Sequence, residues 1–249
     1  MKIINDIYTI WLREMIRFVR ARSRIVSSLA MPVIWLIFIG VGLGSSFSLP
    51  GMNYINFLAP GVVGMIILFT SIFSGVSVIW DRQFGFLKEI LVAPVSRTSI
   101  VLGKTLGGAT VALINGFLMI FISMAFGVIA PSIGIITSII FMILAAMIFV
   151  ALGIIIASRM KSMEGFQMVM SFLIMPIFFL SGGIFPIQNT PLWMQAISHI
   201  DPLTYAVDGL RGTLVGVNVF PLWIDVTALA AIAAVMIMIG SYMFKKSVL

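Results

Sequence analysis

Charge is missing from two very long stretches of this chain, and that decides its solvent. Residues 25–80 hold no Lys, Arg, Asp or Glu across 56 positions, and residues 105–158 hold none across 54. One helical crossing of a bilayer takes about 20 apolar residues, so each stretch is long enough for two. A turn sits in the middle of each: Pro50-Gly51-Met52-Asn53 in the first and Pro131-Ser132-Ile133-Gly134 in the second. A soluble fold averages about 25% charged residues, whereas this chain of 249 residues has 9% charged and 61% hydrophobic ones. In lipid every backbone polar group needs an internal partner, which leaves helices or a closed barrel. Barrel strands alternate apolar and polar residues over about ten positions. The apolar runs here are continuous, so helices are expected. The reading is all-α, an integral membrane bundle of six spans near 25–49, 54–80, 106–130, 133–157, 166–185 and 222–244.

Lys and Arg set the orientation of such a bundle. Six fall in residues 1–24, four in 81–104, two in 158–165 and two in the tail, at Lys245 and Lys246. With six spans these fourteen of the fifteen share one face, and Arg211 alone lies on the other. The basic face is then cytoplasmic and both termini are inside. The formal charge of +7 is read as topology rather than as a nucleic-acid patch. The first 24 residues have no apolar core followed by a small-residue cleavage site, so they are expected to stay in the mature protein. With no cysteine in the chain, disulfides, zinc thiolates and iron–sulfur clusters are excluded.

Residues 1–24 read as an amphipathic elbow lying in the interface. Ile4, Ile7, Tyr8, Trp11, Met15 and Phe18 recur at helical spacing, and Arg13, Arg17 and Arg20 form a stripe on another face. Such a helix can be an anchor alone or also a contact for a cytoplasmic partner. The segment between spans 2 and 3 is the most informative. It places Arg82, Phe84, Phe86, Leu87, Lys88 and Glu89 ahead of Pro94, with Ser96 poised to cap the next helix and Arg97 beyond it. It is either a surface helix packed on its own bundle or an aromatic, charged knob shown to another protein.

Several motifs fail. Gly103-Lys104-Thr105 ends like a phosphate-binding loop, but that loop needs a glycine where Thr98 stands, so Lys104 reads as a membrane-entry lysine. Gly40, Gly42 and Gly44 suit close helix packing. His199 is the only histidine and has no second metal ligand nearby in sequence. No span carries a charge in its middle, which argues against a self-powered coupled carrier and suggests a path without buried charge. No polar constellation for a membrane-embedded enzyme is visible in the spans. After span 5, Gly182, Gly183 and Pro186 lead into an apolar stretch containing Pro202, Tyr205 and Arg211, which reads as a cap over the bundle or a gate on an exit path.

These residues carry a resemblance over nearly the whole chain. Trp11-Leu12-Arg13-Glu14 with Met31-Pro32-Val33-Ile34-Trp35 form the first part of it. Asp81-Arg82 through Glu89, with Leu91-Val92-Ala93-Pro94-Val95-Ser96-Arg97 and Gly103-Lys104, form the most specific part. Gly182-Gly183-Ile184-Phe185-Pro186 and Asp201-Pro202-Leu203-Thr204-Tyr205 with Leu210-Arg211 complete it. The chain resembles the type-2 permease family of ATP-binding-cassette (ABC) transporters, and within it the drug-resistance exporter branch that includes daunorubicin permeases. The resemblance implies a coupling helix at 82–93 that docks on a nucleotide-binding subunit. It also implies a minor coupling loop with Arg159, Lys161 and Glu164, and outer re-entrant helices within 186–218. It implies a non-catalytic subunit in a prokaryotic cell membrane, spanning as one domain over residues 25–249. Two copies would pair with two separate ATPase subunits that hold ATP and Mg, and this chain would bind no cofactor. The cargo expected is hydrophobic or amphipathic, drug-like or lipid-like. A secondary carrier or channel, a polysaccharide or glycolipid exporter, and a membrane-embedded enzyme stay open at this point.

Overall fold

A computed structural model describes residues 2–42, 44, 52–84, 95–160 and 162–247. Every regular element among them is helical. The helices are α1 (Lys2–Arg20), α2 (Arg22–Gly42), α3 (Tyr54–Ser74), α4 (Val76–Gln83), α5 (Arg97–Ala125), α6 (Gly134–Arg159), α7 (Met163–Leu180), α8 (Leu192–Ser198), α9 (Pro202–Leu214) and α10 (Leu222–Ser247). A short 3-10 turn at Ile187–Asn189 precedes α8. Six stretches are long and apolar enough to cross a bilayer: Ile25–Gly42, Tyr54–Asp81, Thr98–Ala125, Gly134–Arg159, Met163–Leu180 and Leu222–Gly240.

The six expected spans are present, but several of their ends differ from the expectation. The third span was expected from residue 106, yet α5 is helical from Arg97. Lys104 is buried and ion-paired there, so its charge does not end the helix. The fifth was expected to reach residue 185, yet α7 stops at Leu180. Ser181 and Gly182 turn the chain back, and Gly182 has φ +73°, a conformation that favours glycine. The first was expected to reach 49; its described helix runs to Gly42, and residues 43 and 45–49 lie outside the described residues. Ser96 caps α5 as expected, its side chain accepting from Ser99 N at 3.0 Å. Ser162 does the same for α7, from Gly165 N at 3.2 Å.

The bundle has a centre and a periphery. The second span is 72% buried and the fourth 56%, whereas the first, fifth and sixth are each about 20% buried. So α3, α5 and α6 form the packed core, and α2, α7 and α10 present much of their surface outward. In a bilayer the attraction between helices comes from close packing, since lipid tails are as apolar as leucine. The α3–α4 junction shows this. Gly75 lies directly against the backbone of Gly153 on α6, and Gly153 lies against Ile72, so a Cβ at either glycine would overlap main chain. Of the three glycines near the end of α2, Gly40 packs on Ile55, while a Cβ on Gly42 would meet nothing.

Candidate functional site

On the basic face, α1 lies across the first turns of α5. Two glycines make the approach possible: a Cβ on Gly103 would fall 2.7 Å from Ile10, and one on Gly107 would fall 2.8 Å from Glu14. Trp11 donates its indole N–H to Thr110 Oγ1 at 3.0 Å. Where α1, α4 and α5 meet, five charges converge. Lys104 Nζ donates to Asp81 Oδ2 at 2.6 Å and to Ser77 Oγ at 3.0 Å. Arg13 donates to Asp81 Oδ1 from the opposite side. Arg17 stands 3.8 Å from Asp81 and 3.6 Å from Glu14, and Glu14 stands 3.7 Å from Lys104. The Arg17 guanidinium also lies over the Trp80 ring at 5.7 Å. Asp81 and Lys104 are both almost fully buried. Neither charge is affordable alone at that depth. Together, with Arg13 and Ser77, they satisfy each other's hydrogen bonds.

This cluster brackets the segment expected to couple. Asp81 sits near the end of α4, just before that segment, and Lys104 sits on α5, just after it. Phe84, the last residue described within it before residues 85–94, is 82% exposed, a costly position for a phenylalanine in water. Arg82 lies near the end of α4, and Arg97 is the first residue of α5. Phe86, Leu87, Lys88 and Glu89 lie outside the described residues. Of the elbow arginines, Arg13 and Arg17 join the cluster, whereas Arg20 is exposed and makes no ion pair with a described residue. In the expected minor loop, Arg159 and Glu164 are exposed and Lys161 is outside the described residues.

The sequence reading missed the role of Lys104, Asp81 and Glu14. Lys104 is not a lysine at the membrane entrance but the buried centre of the cluster. The available signal was the presence of Glu14 and Asp81 inside stretches otherwise rich in arginine. Buried charges lie at both ends of the bundle, Asp81 and Lys104 at one face and Asp201, Asp208, Arg211 and Asp225 at the other, a grouping that the sequence reading did not anticipate.

The opposite face is closed by the 3-10 turn, α8 and α9, none of which is long enough to span. Pro202 occupies the first turn of α9, and Asp201 caps it, accepting from Leu203 N at 2.9 Å. Arg211 ties this cap to the core. It donates to Gly182 O at 2.9 Å and to Phe57 O at 3.4 Å, and its guanidinium lies 3.8 Å over the Phe57 ring. Gly61 of α3 packs against the backbone of Gly183 with no room for a side chain on Gly61, and Tyr54 donates to Ile184 O at 2.9 Å. Pro186 leads into the 3-10 turn, and Tyr205 donates to His199 O at 2.7 Å. Asp208 accepts from Val219 N and Phe220 N, each at 2.8 Å, holding the loop before α10.

Burial governs the titration of this cap. It pushes the Asp201 carboxyl up to about 7, against the pull of its Leu203 hydrogen bond. It raises Asp208, opposed by the Phe220 and Val219 amides and by Arg211. It lowers Arg211 to about 10, partly offset by Asp208. A cavity of about 180 Å³ lies beneath, with Phe57, Thr204, Asp208 and Arg211 in its wall. Among the described residues no three His, Cys, Asp or Glu side chains come together as metal ligands.

Known proteins share this chain's pattern along most of its length. The putative transport permease ycf38 of Cyanophora paradoxa is 29% identical over 217 residues, which cover 84% of this chain and 73% of that protein. The inner membrane transport permease YadH of Escherichia coli K12 is 28% identical over 220 residues, 86% of this chain and 84% of its own. Nodulation protein J of Rhizobium meliloti is 26% identical over 247 residues, 95% and 92% of the two chains. The family model described as ABC-2 type transporter matches residues 5–215, which include the elbow, the charge cluster and the α9 cap. The chain therefore belongs to the ABC-2 type transporter family and is a membrane permease subunit.

Proposed function

We propose that this permease exports a hydrophobic or amphipathic cargo, drug-like or lipid-like, driven by ATP that a separate subunit hydrolyses. Family membership supports the ATP-binding partner. The charge cluster supports the route by which its work enters the membrane. Asp81, Lys104 and Arg13 join the two helices that flank residues 85–94 to the elbow helix. A push on that segment cannot move α4 without moving α5 and α1. The ATPase pair closes on ATP and Mg, presses on the 82–93 segment, and shifts the clamped helices as one body. Two copies of the permease, each with its ATPase, frame the path between them. The basic face is cytoplasmic, in keeping with fourteen of the fifteen Lys and Arg on one side, and the Arg211 cap faces outward in a prokaryotic cell membrane.

The observation that carries this reading is the ion cluster joining the helices on either side of residues 85–94, next to the exposed Phe84. The test is the double substitution Phe86→Ala with Glu89→Ala in the assembled transporter. The expected result is an intact permease whose ATPase no longer responds to cargo. Lys88→Ala and Arg97→Ala are expected to act more mildly, as charges at the rim of a contact. Normal cargo-stimulated hydrolysis in the double variant would overturn the docking role.

A further inference from the structure

A groove of about 380 Å³ runs along the core helices at membrane depth, away from the outer cap. Trp35 of α2, Phe69 and Phe73 of α3 and Met175 of α7 line it. Ligand sites generally fall between about 300 and 1,000 Å³ and combine apolar walls with a few placed polar groups. Its polar lining is Ser27 and Ser28 of α2, with Ser28 Oγ donating to Ile25 O at 2.9 Å, and Thr70 and Asn115 deeper in. By the rise of about 1.5 Å per residue, Thr70 and Asn115 each lie within about 6 Å of the midpoint of their span.

Asn115 is 1% exposed, so its amide has left water entirely. Its Nδ2 donates to Thr70 Oγ1 at 3.4 Å, long for such a bond. Its Oδ1 accepts nothing from the described residues. An amide oxygen at mid-membrane without a donor is expensive, and the long bond to Thr70 does not account for it as a tie between α3 and α5. What Asn115 Oδ1 lacks is one hydrogen-bond donor, beside a wall of aromatic rings and a thioether. Those side chains are soft and stackable, and they accept ring systems of varied outline.

We infer that this groove binds a ring-bearing amphipathic molecule whose hydroxyl or N–H donates to Asn115. The inference rests on the exporter reading only in naming that molecule as cargo. Hydrocarbon fills the groove against Trp35, Phe69 and Phe73, and one donor at mid-depth sets orientation. Molecules without a donor enter the same space but bind less well.

The test uses the full-length permease alone, in phosphatidylcholine nanodiscs and without ATP. The probes are 4-(3-trifluoromethyl-diazirin-3-yl)phenol and its methyl ether, which differ only in the donor. After photolysis, adducts are mapped by mass spectrometry. The phenol is expected to label residues 65–73 and 111–115 about five-fold more than the ether, the weight of one hydrogen bond in an apolar wall. On the outward face of α10, Val235 and Met238 are exposed, and both probes are expected to label them equally. Asn115→Leu should bring the phenol down to the level of the ether, and Thr70→Val should lower it less. If Asn115→Leu does not yield monodisperse protein, the wild-type ratio and Thr70→Val decide the matter. Equal labelling of the groove by both probes in the wild type, or a preference that survives Asn115→Leu, overturns the inference. Lack of an ATPase partner would sink the exporter reading and leave this ratio unchanged, so the two failures are distinguishable.

Discussion

Asp81 is the residue on which the basic face turns. It receives Lys104 on one oxygen and Arg13 on the other, with Arg17 behind. Breaking a buried pair by removing one partner costs about 3–5 kcal/mol, because the other charge is left buried and unmatched. Lys104→Met is therefore expected to lower the thermal midpoint of the purified permease clearly. Adding Asp81→Asn to it should cost much less than Asp81→Asn costs alone, since the remaining partners lose a shared charge together. Strictly additive losses in that double-mutant cycle would show that the pair does not act as a unit. At the opposite face, Asp201 gives a pH signature. Its folded carboxyl titrates at about 7, above the usual value of about 3.9 in an unfolded chain. The native state thus holds the proton more tightly. Stability is expected to rise as pH falls from about 7 towards about 4, and to be lowest above 7. Asp201→Asn keeps a capping oxygen and removes the titration, so its melting profile should be flatter and higher at pH 8. A wild-type profile that is flat between pH 8 and 5 would contradict this. Single residues were only partly legible in the sequence. Arg13, Arg17 and Arg211 were marked by type and position. Lys104 was not, because its partners lie on helices distant in sequence, and only the packing brings them together.

At the scale of elements, the two charge-free runs located four of the six spans, and the break expected at Pro131-Ser132 falls between α5 and α6. Ends were less legible. A charge was read as the edge of a span, which holds for a charge facing water and fails for Lys104, whose neutralising partner lies inside the bundle. The turn after α7 was hidden for another reason: Gly182 needs a left-handed conformation that composition does not announce. Helix contacts depend on glycines that periodicity ranks as ordinary apolar positions. Gly75 and Gly153 let α3 and α6 touch through their backbones. Gly153→Ala is expected to cost about 1–3 kcal/mol, the usual penalty of overpacking, because main chain rather than a flexible side chain stands in the way. Gly42→Ala, with nothing within 4 Å of the added carbon, serves as the control and should be close to neutral. Equal midpoints for the two variants would contradict the assignment of α3–α6 as the packed centre.

The whole molecule reads as a passive machine with two fastened ends. At the basic face, ions clamp the elbow and the two helices flanking residues 85–94. At the opposite face, Arg211 pins the α9 cap to α3 and to the turn after α7. Between them lies an apolar core whose described polar groups include the Asn115–Thr70 pair. The family was legible from four short motifs, because each marks a place where the backbone turns or a charge is held. The two buried charge clusters were not, since a count of charges along the chain says nothing about which of them meet. An assembly with fixed ends and no energy source of its own is expected to move cargo only when something presses on residues 82–93. The most direct measurement is transport of a fluorescent amphiphile into inside-out proteoliposomes. They would contain the permease with its ATPase subunit, the permease alone, or the complex bearing Phe86→Ala and Glu89→Ala. The account predicts ATP-dependent uptake by the intact complex only. Uptake by the permease alone under an ion gradient, without ATP, would contradict it.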